Sequence, residues 1–170
     1  ETADVVMENF RPGVMDKLGI GYEALSKVNP RIIYAAVSGF GQNGPERTTG
    51  AYDGKIQAMS GLMSITGSVE SGPTRAGFAV CDAIGGMSLA FGVASALFQR
   101  THTGKGQLVD VAMLDSALTF MSSFVVDHTG QVKDHAGPVP VHLDGGLTVE
   151  HATQRPSAQF IERVAEVFEG

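Results

Sequence analysis

Three short stretches of this chain carry residue types whose spacing could support chemistry. Asp82 closes a short apolar run, residues 76–81, and opens a long one that extends to about Arg100. An aspartate in that place reads as a helix N-cap. The positive end of a helix also keeps a carboxylate ionised at neutral pH, so the same group could act as a nucleophile toward an activated acyl carbon. In Ser38-Gly39-Phe40-Gly41-Gln42 the glycines allow a sharp turn. Such a turn either presents backbone N–H groups to a phosphate or developing oxyanion, or simply carries a strand into a loop. Asn9-Phe10-Arg11-Pro12-Gly13 gathers an amide, an aromatic face and a guanidinium. Together these can hydrogen-bond and stack a purine and pair with a phosphate, although a Pro-Gly turn around a partly buried Phe accounts for the same residues.

Other chemistries are excluded or weak. The glycine-rich segment matches neither the dinucleotide fingerprint nor the Walker A pattern, and Gly104-Lys105-Gly106 reads as the turn after a helix. The five histidines have no H-E-x-x-H or His/Cys spacing, so they read as surface or loop residues and no metal site is expected. No G-x-S-x-G is present, which removes the simplest serine-hydrolase reading. A net charge of −6 without a basic run longer than two residues gives no nucleic-acid footprint. The single cysteine, Cys81, cannot form an internal disulfide and fits a reducing, cytoplasmic compartment. Polar residues interrupt the apolar runs before membrane-spanning length, so no membrane association is expected.

The elements that must position these residues follow from periodicity. At 170 residues, 43% hydrophobic and 18% charged, the chain can fold around one sizeable core. Residues 4–9 and 31–40 read as buried parallel strands, separated by helical pattern at Val14 and Leu18 and again from Tyr22 to a stop before Asn29-Pro30. That separation suits a crossover between parallel strands. A polar loop over 39–50 leads into a helix over 53–63, and a turn over 68–75 precedes the helix opened by Asp82. In that last helix Ile84, Met87, Phe91, Ala94 and Phe98 recur at helical spacing beside Ala90, Val93 and Leu97, which predicts burial on most sides. Residues 107–112 alternate as a strand, and Leu114, Ala117, Leu118, Met121 and Val125 mark an amphipathic helix. Met59, Met63, Met87, Met113 and Met121 are expected as core filler. Residues 127–146 read as a linker, and Ser157 as the N-cap of a last helix with Phe160, Ile161, Val164, Val167 and Phe168 on one face. The fold class is therefore α/β, a partial Rossmann-like parallel sheet with flanking helices.

Taken in order, several segments resemble the class III CoA-transferase family. They are ADVVMENFRPG at 3–13, LGIGYEALSKVNPRIIY at 18–34, SGFGQNGP at 38–45, Tyr52-Asp53 with QAMSG at 57–61, residues 76–86, and TGKGQLVDVAMLDSA at 103–117. The resemblance implies an acyl-CoA:carboxylate CoA-transferase in which Asp82 matches the catalytic aspartate and passes through an aspartyl-CoA thioester. It implies coenzyme A contacts at Asn9, Phe10, Arg11 and Lys17, and at the loop residues Gly50, Ala51, Tyr52 and Asp53, with acyl-CoA and carboxylic acids as substrates. Lys17 stands where the family has a basic CoA contact, without the bidentate fork of arginine. Gly54-Lys55 departs from the apolar residues usual after Tyr-Asp. The family's polypeptide is longer at both ends and pairs as an interlaced homodimer. Residues 1–126 thus correspond to a central part of its large domain, and 127–170 to a linker and the start of a small one.

Two other readings stand beside it. α-Methylacyl-CoA racemase resembles the transferases in fold, and it sets a histidine, in the loop corresponding to Ala51-Tyr52-Asp53, against an aspartate. Tyr52 replaces that histidine, and an unperturbed tyrosine, with a pKa of about 10, is a poor general base. A non-catalytic fragment that binds CoA weakly or merely folds is the second. Asp82→Asn is expected to lose transfer while keeping the cap.

Overall fold

The computed structural model describes residues 3–126 and two short strands beyond them. Strands β1 (Val5–Glu8), β2 (Ile33–Ser38) and β3 (Gln107–Ala112) form one parallel sheet in the order β1-β2-β3. Val5 pairs with Ile33, and Ile33 with Gln107, so the three strands start at one level and end at one edge. Helices α1 (Val14–Lys17) and α2 (Tyr22–Val28) make the first crossover. Helices α3 (Asp53–Met59), α4 (Leu62–Thr66) and α5 (Val80–Thr103) make the second. Strand β3 runs directly into α6 (Met113–Phe120). Parallel pairing needs such long connections, and the periodicity supplies them.

Burial explains the strand sequences. β2 is central and reads Ile-Tyr-Ala-Ala-Val because both of its faces are covered; Ile33, Ala35 and Ala36 are fully buried. On one face Ala35 and Val37 join Ile56, Cys81, Leu89, Met113 and Ala117 in the core. Tyr34 makes an edge contact with Tyr22 of α2, with ring centroids 6.1 Å apart. β1 was expected to be buried but is an edge strand, and Met7 is largely exposed. Asp4, just before it, is tied to the far end of α5 by Arg100, whose Nη2 donates to Oδ1 at 2.8 Å.

Several expectations are corrected. The helix foreseen over 53–63 breaks at Ser60-Gly61, because Gly61 takes a left-handed conformation (φ 84°) and starts α4. α5 begins at Val80 with Ala79 as its N-cap residue, so Asp82 is the third helical residue and not the cap. α5 is not buried on most sides. Cys81, Gly85, Leu89 and Ala96 form its buried face, while Met87, Phe91 and Phe98 are exposed at 65%, 77% and 69%. Met59 also lies on the surface, so only Met113 and Met121 of the five methionines are fully buried core residues. By length and hydropathy α5 could cross a membrane, contrary to the sequence expectation. It lies against the sheet through its small residues, however, with a Cβ at Gly92 reaching within 2.7 Å of Val109 Cγ1. α6 stops at Phe120, and residues 122–126 form a separate helical turn. In the segment read as a linker, β4 (His142–Leu143) pairs antiparallel with β5 (Leu147–Thr148) just beyond it. The last helix, with Ser157, lies outside the described residues.

Close approach at the start of β3 depends on Gly106. Its N–H donates to the Pro30 carbonyl at 2.9 Å, and a Cβ there would fall on the carbonyl oxygen of Ile32. Backbone cannot yield as a flexible side chain does. Gly106→Ala should therefore cost about 1–3 kcal/mol, as overpacking does, and lower the thermal midpoint. An unchanged midpoint would contradict this packing.

Candidate active site

The ends of the three parallel strands deliver the candidate residues to one edge, where open α/β sheets bind ligands. After β1, the chain turns through Asn9-Phe10-Arg11-Pro12. Glu8, itself buried, fixes that turn by accepting the Phe10 N–H at 2.7 Å. Burial raises the Glu8 pKa, the Phe10 hydrogen bond opposes the shift, and Asp16 and Asp110 add to it. After β2, Gly39 turns the chain into the loop that returns as Gly50-Ala51-Tyr52. Gly39 has a specific spatial reason: a Cβ there would overlap that of Ala51. Its carbonyl accepts the Leu114 N–H at 3.1 Å, which joins the ends of β2 and β3.

Two adjoining clefts open along this edge. The first, about 290 Å³, has Asn9, Phe10 and Arg11 on one side and Arg47, Thr49 and Gly50 on the other. The Arg11 guanidinium lies against Gly50, where a Cβ would come within 2.8 Å of Nη2. Lys55 Nζ donates to the Gly50 carbonyl at 3.1 Å and sits 5.6 Å from the Phe40 ring centroid, so it tethers the loop from behind. Ser38 Oγ, buried at the same wall, has no hydrogen-bond partner among the described residues. The second cleft, about 420 Å³, shares Asn9, Ala51, Tyr52 and Met113 with the first and adds Val37, Asp82 and Gly86. Gly86 lies one helical turn after Asp82 on the same face, and a Cβ there would meet nothing within 4 Å. The groove beside the carboxylate therefore stays open. An aromatic face with two guanidinia thus continues into a cleft of mixed polarity that contains one carboxylate.

Asp82 is not held as the sequence implied. Asp82 is an exposed residue on the wall of its cleft; partial desolvation first, and then the Asp53 carboxylate, raise its pKa above the usual aspartate value, opposing the helix end that was expected to keep it ionised. Asp53 already occupies that end. Its Oδ1 accepts the N–H groups of Cys81 at 2.8 Å and Asp82 at 3.3 Å. Cys81 cannot compete as a nucleophile, because burial, Asp53 and Asp82 push its thiol up to about 11.

The structure brings Asn9, Phe10, Arg11, Gly50, Ala51, Tyr52 and Asp82 to the two clefts. It leaves Lys17 exposed on α1, outside both linings, and turns the buried Asp53 carboxylate toward α5. Sequence reasoning did not assign Arg47, Thr49, Met113 or Gly86 to a site; no motif marks them, and only the loop path and strand ends bring them together. Among the described residues no group of three His, Cys, Asp or Glu side chains could hold a metal ion.

Residues 1–145 match the model of CoA-transferase family III. The chain belongs to that family. It is 54% identical over 120 residues to acetyl-CoA:oxalate CoA-transferase of Acetobacter aceti, covering 70% of this chain and 31% of that protein. It is 38% identical over 138 residues to succinyl-CoA–D-citramalate CoA-transferase of Chloroflexus aurantiacus, covering 80% and 34%. A crystal structure of a CaiB/BaiF family protein from Brucella suis superposes with a TM-score of 0.72 at 37% identity, covering 80% of this chain and 35% of that one. The chain spans about a third of the length of these relatives.

The direction of the Asp82 shift has a testable sign. A carboxyl that binds its proton more tightly when folded contributes stability below its unfolded pKa, and that contribution is lost as pH rises through the folded one. The Asp82 carboxyl-carbon NMR titration should have its midpoint above the ordinary aspartate value of about 3.9; a midpoint at or below that value would contradict the assigned environment.

Proposed function

We propose that the protein is an acyl-CoA:carboxylate CoA-transferase, with Asp82 as the covalent nucleophile. The observation that carries this reading is the continuity of the two clefts. The cleft lined by Phe10, Arg11 and Arg47 shares Asn9, Ala51, Tyr52 and Met113 with the one that contains Asp82. Phe10 offers a face for a base, and the two guanidinia suit phosphate oxygens. Val37, Ala51, Gly86 and Met113 line the Asp82 cleft beside Asn9 and Tyr52, so the carboxylate stands next to both apolar surface and polar groups.

In this reading the Asp82 carboxylate attacks the thioester carbonyl of the donor, expelling CoA thiolate and leaving a mixed anhydride. The thiolate then attacks the aspartyl carbonyl, releasing the donor acid and forming an aspartyl-CoA thioester. The acceptor carboxylate reverses the two steps and leaves as the new acyl-CoA, regenerating Asp82. No net proton or electron is required, and each stage exchanges one acyl bond for another. Raising the proton affinity of Asp82 also raises its basicity, which favours attack by the ionised form. Tyr52 supports transfer over racemisation, because it stands at the shared wall where a second acid/base group would be needed. The reading extends to a cytoplasmic dimer of the full-length protein. The exposed Met87, Phe91 and Phe98 on α5 support it as apolar surface suited to cover by further polypeptide.

The test is mass spectrometry of the full-length protein after incubation with acyl-CoA, with hydroxylamine or borohydride trapping. The expected result is a mass change on the peptide containing Asp82, absent in Asp82→Asn. Full transfer by Asp82→Asn would refute the nucleophile. Deuterium wash-in at the acyl α-carbon without CoA exchange would establish the racemase reading instead.

A further inference from the structure

We propose that Asp53 is a positioning residue for Asp82, fixing the first turn of α5 from a different helix and so setting where the nucleophile stands. This rests on the reading of Asp82 as nucleophile. The first N–H groups of a helix have no intrahelical partner, and a cap residue normally supplies an acceptor. Ala79, the N-cap residue of α5, has no side chain able to do so. Asp53, 6% exposed at the start of α3, provides the oxygen instead, with Oδ1 receiving the amides of both Cys81 and Asp82. The nucleophile's own backbone N–H is therefore one of the atoms held.

Asp53 is itself held from two sides. Its Oδ2 accepts from Gln57 Nε2 and faces Arg75 Nη2 at 3.5 Å. Gln57 is fully buried; its Oε1 accepts the Ala76 N–H at 2.8 Å and its Nε2 also donates to the Phe78 carbonyl at 3.3 Å. The segment that leads into α5 is thus bonded to α3 by the side chain that orients Asp53. Gly54 keeps the space that Arg75 uses, since a Cβ there would lie 3.1 Å from its Cζ. Gly54-Lys55, the departure noted in the sequence, fits this arrangement, with Lys55 turned to the Gly50 loop.

Charge separates positioning from coenzyme contact. The groups facing Asp82 are the Asp53 anion on α3, with Arg75 as its counter-ion, and the protonated Cys81 thiol on α5. Desolvation is the larger cause of the Asp82 shift, and the Asp53 anion adds to it by making Asp82 harder to ionise. Removing the Asp53 charge should therefore move ionisation of Asp82 to lower pH.

The experiment measures single-turnover acylation of Asp82 in the full-length protein across pH and acyl-CoA concentration. Asp53→Ala should lower the saturated rate about tenfold or more, as misplacement of a reacting group does, with the half-saturating acyl-CoA concentration unchanged. Asp53→Asn retains an oxygen for the two amides; it should recover part of that rate and shift the acid limb to lower pH. A raised half-saturating concentration with a normal saturated rate would make Asp53 a coenzyme contact and overturn the proposal. So would unchanged rates and limbs in the Asp53 series. If Asp53→Ala fails to fold, a normal saturated rate with an unmoved limb in Asp53→Asn is the overturning result. Full acylation in Asp82→Asn would instead refute the nucleophile itself, an outcome distinct from a normal Asp53 series on an Asp82-dependent reaction.

Discussion

A single carboxylate, 28 positions before the amide it receives, holds the N-terminus of the long helix on which the candidate nucleophile stands. The rest of the site depends on that contact. α5 crosses the sheet on its small-residue face, Gly85, Gly92 and Ala96 allowing close approach to β2, β3 and α6. Packing of this kind fixes the helix's height above the sheet better than its rotation or its first turn, because small residues offer few interlocking side chains. The Asp53–Gln57–Arg75 group supplies the missing constraint at the end where orientation matters. It also places an anion beside Asp82, which adds to desolvation in raising the proton affinity of the nucleophile.

Much of the fold was legible because it is local or periodic. The apolar run of β2, the stop at Asn29-Pro30 and the alternation of β3 each state their own structure. The parallel order followed from connection length. Asp82 at the head of a helix and Asn9-Phe10-Arg11 at a strand end were legible for the same reason, and the family resemblance joined them into one site.

What was missed is non-local. Periodicity shows that α5 has two apolar faces but not which one meets the sheet, since Phe91 and Met87 look more like core than Gly85 and Gly92 do. The sheet took the small face because its own Val37 and Val109 already fill the space. An N-cap can be read only when it is adjacent in sequence, so the cap of α5 was given to the nearest aspartate. The true acceptor comes from another helix, and nothing in the spacing of residues 53 and 82 announces it. The Asp53 contribution to the Asp82 shift, second to desolvation, was missed with it.

Hydrogen exchange at two amides tests the central interaction most directly. In the full-length protein the Cys81 and Asp82 N–H groups, otherwise first-turn donors open to water, should be strongly protected. Asp53→Ala should release both while amides in β2 keep their protection. Equal exchange at residues 81 and 82 with and without the Asp53 carboxylate would contradict the account.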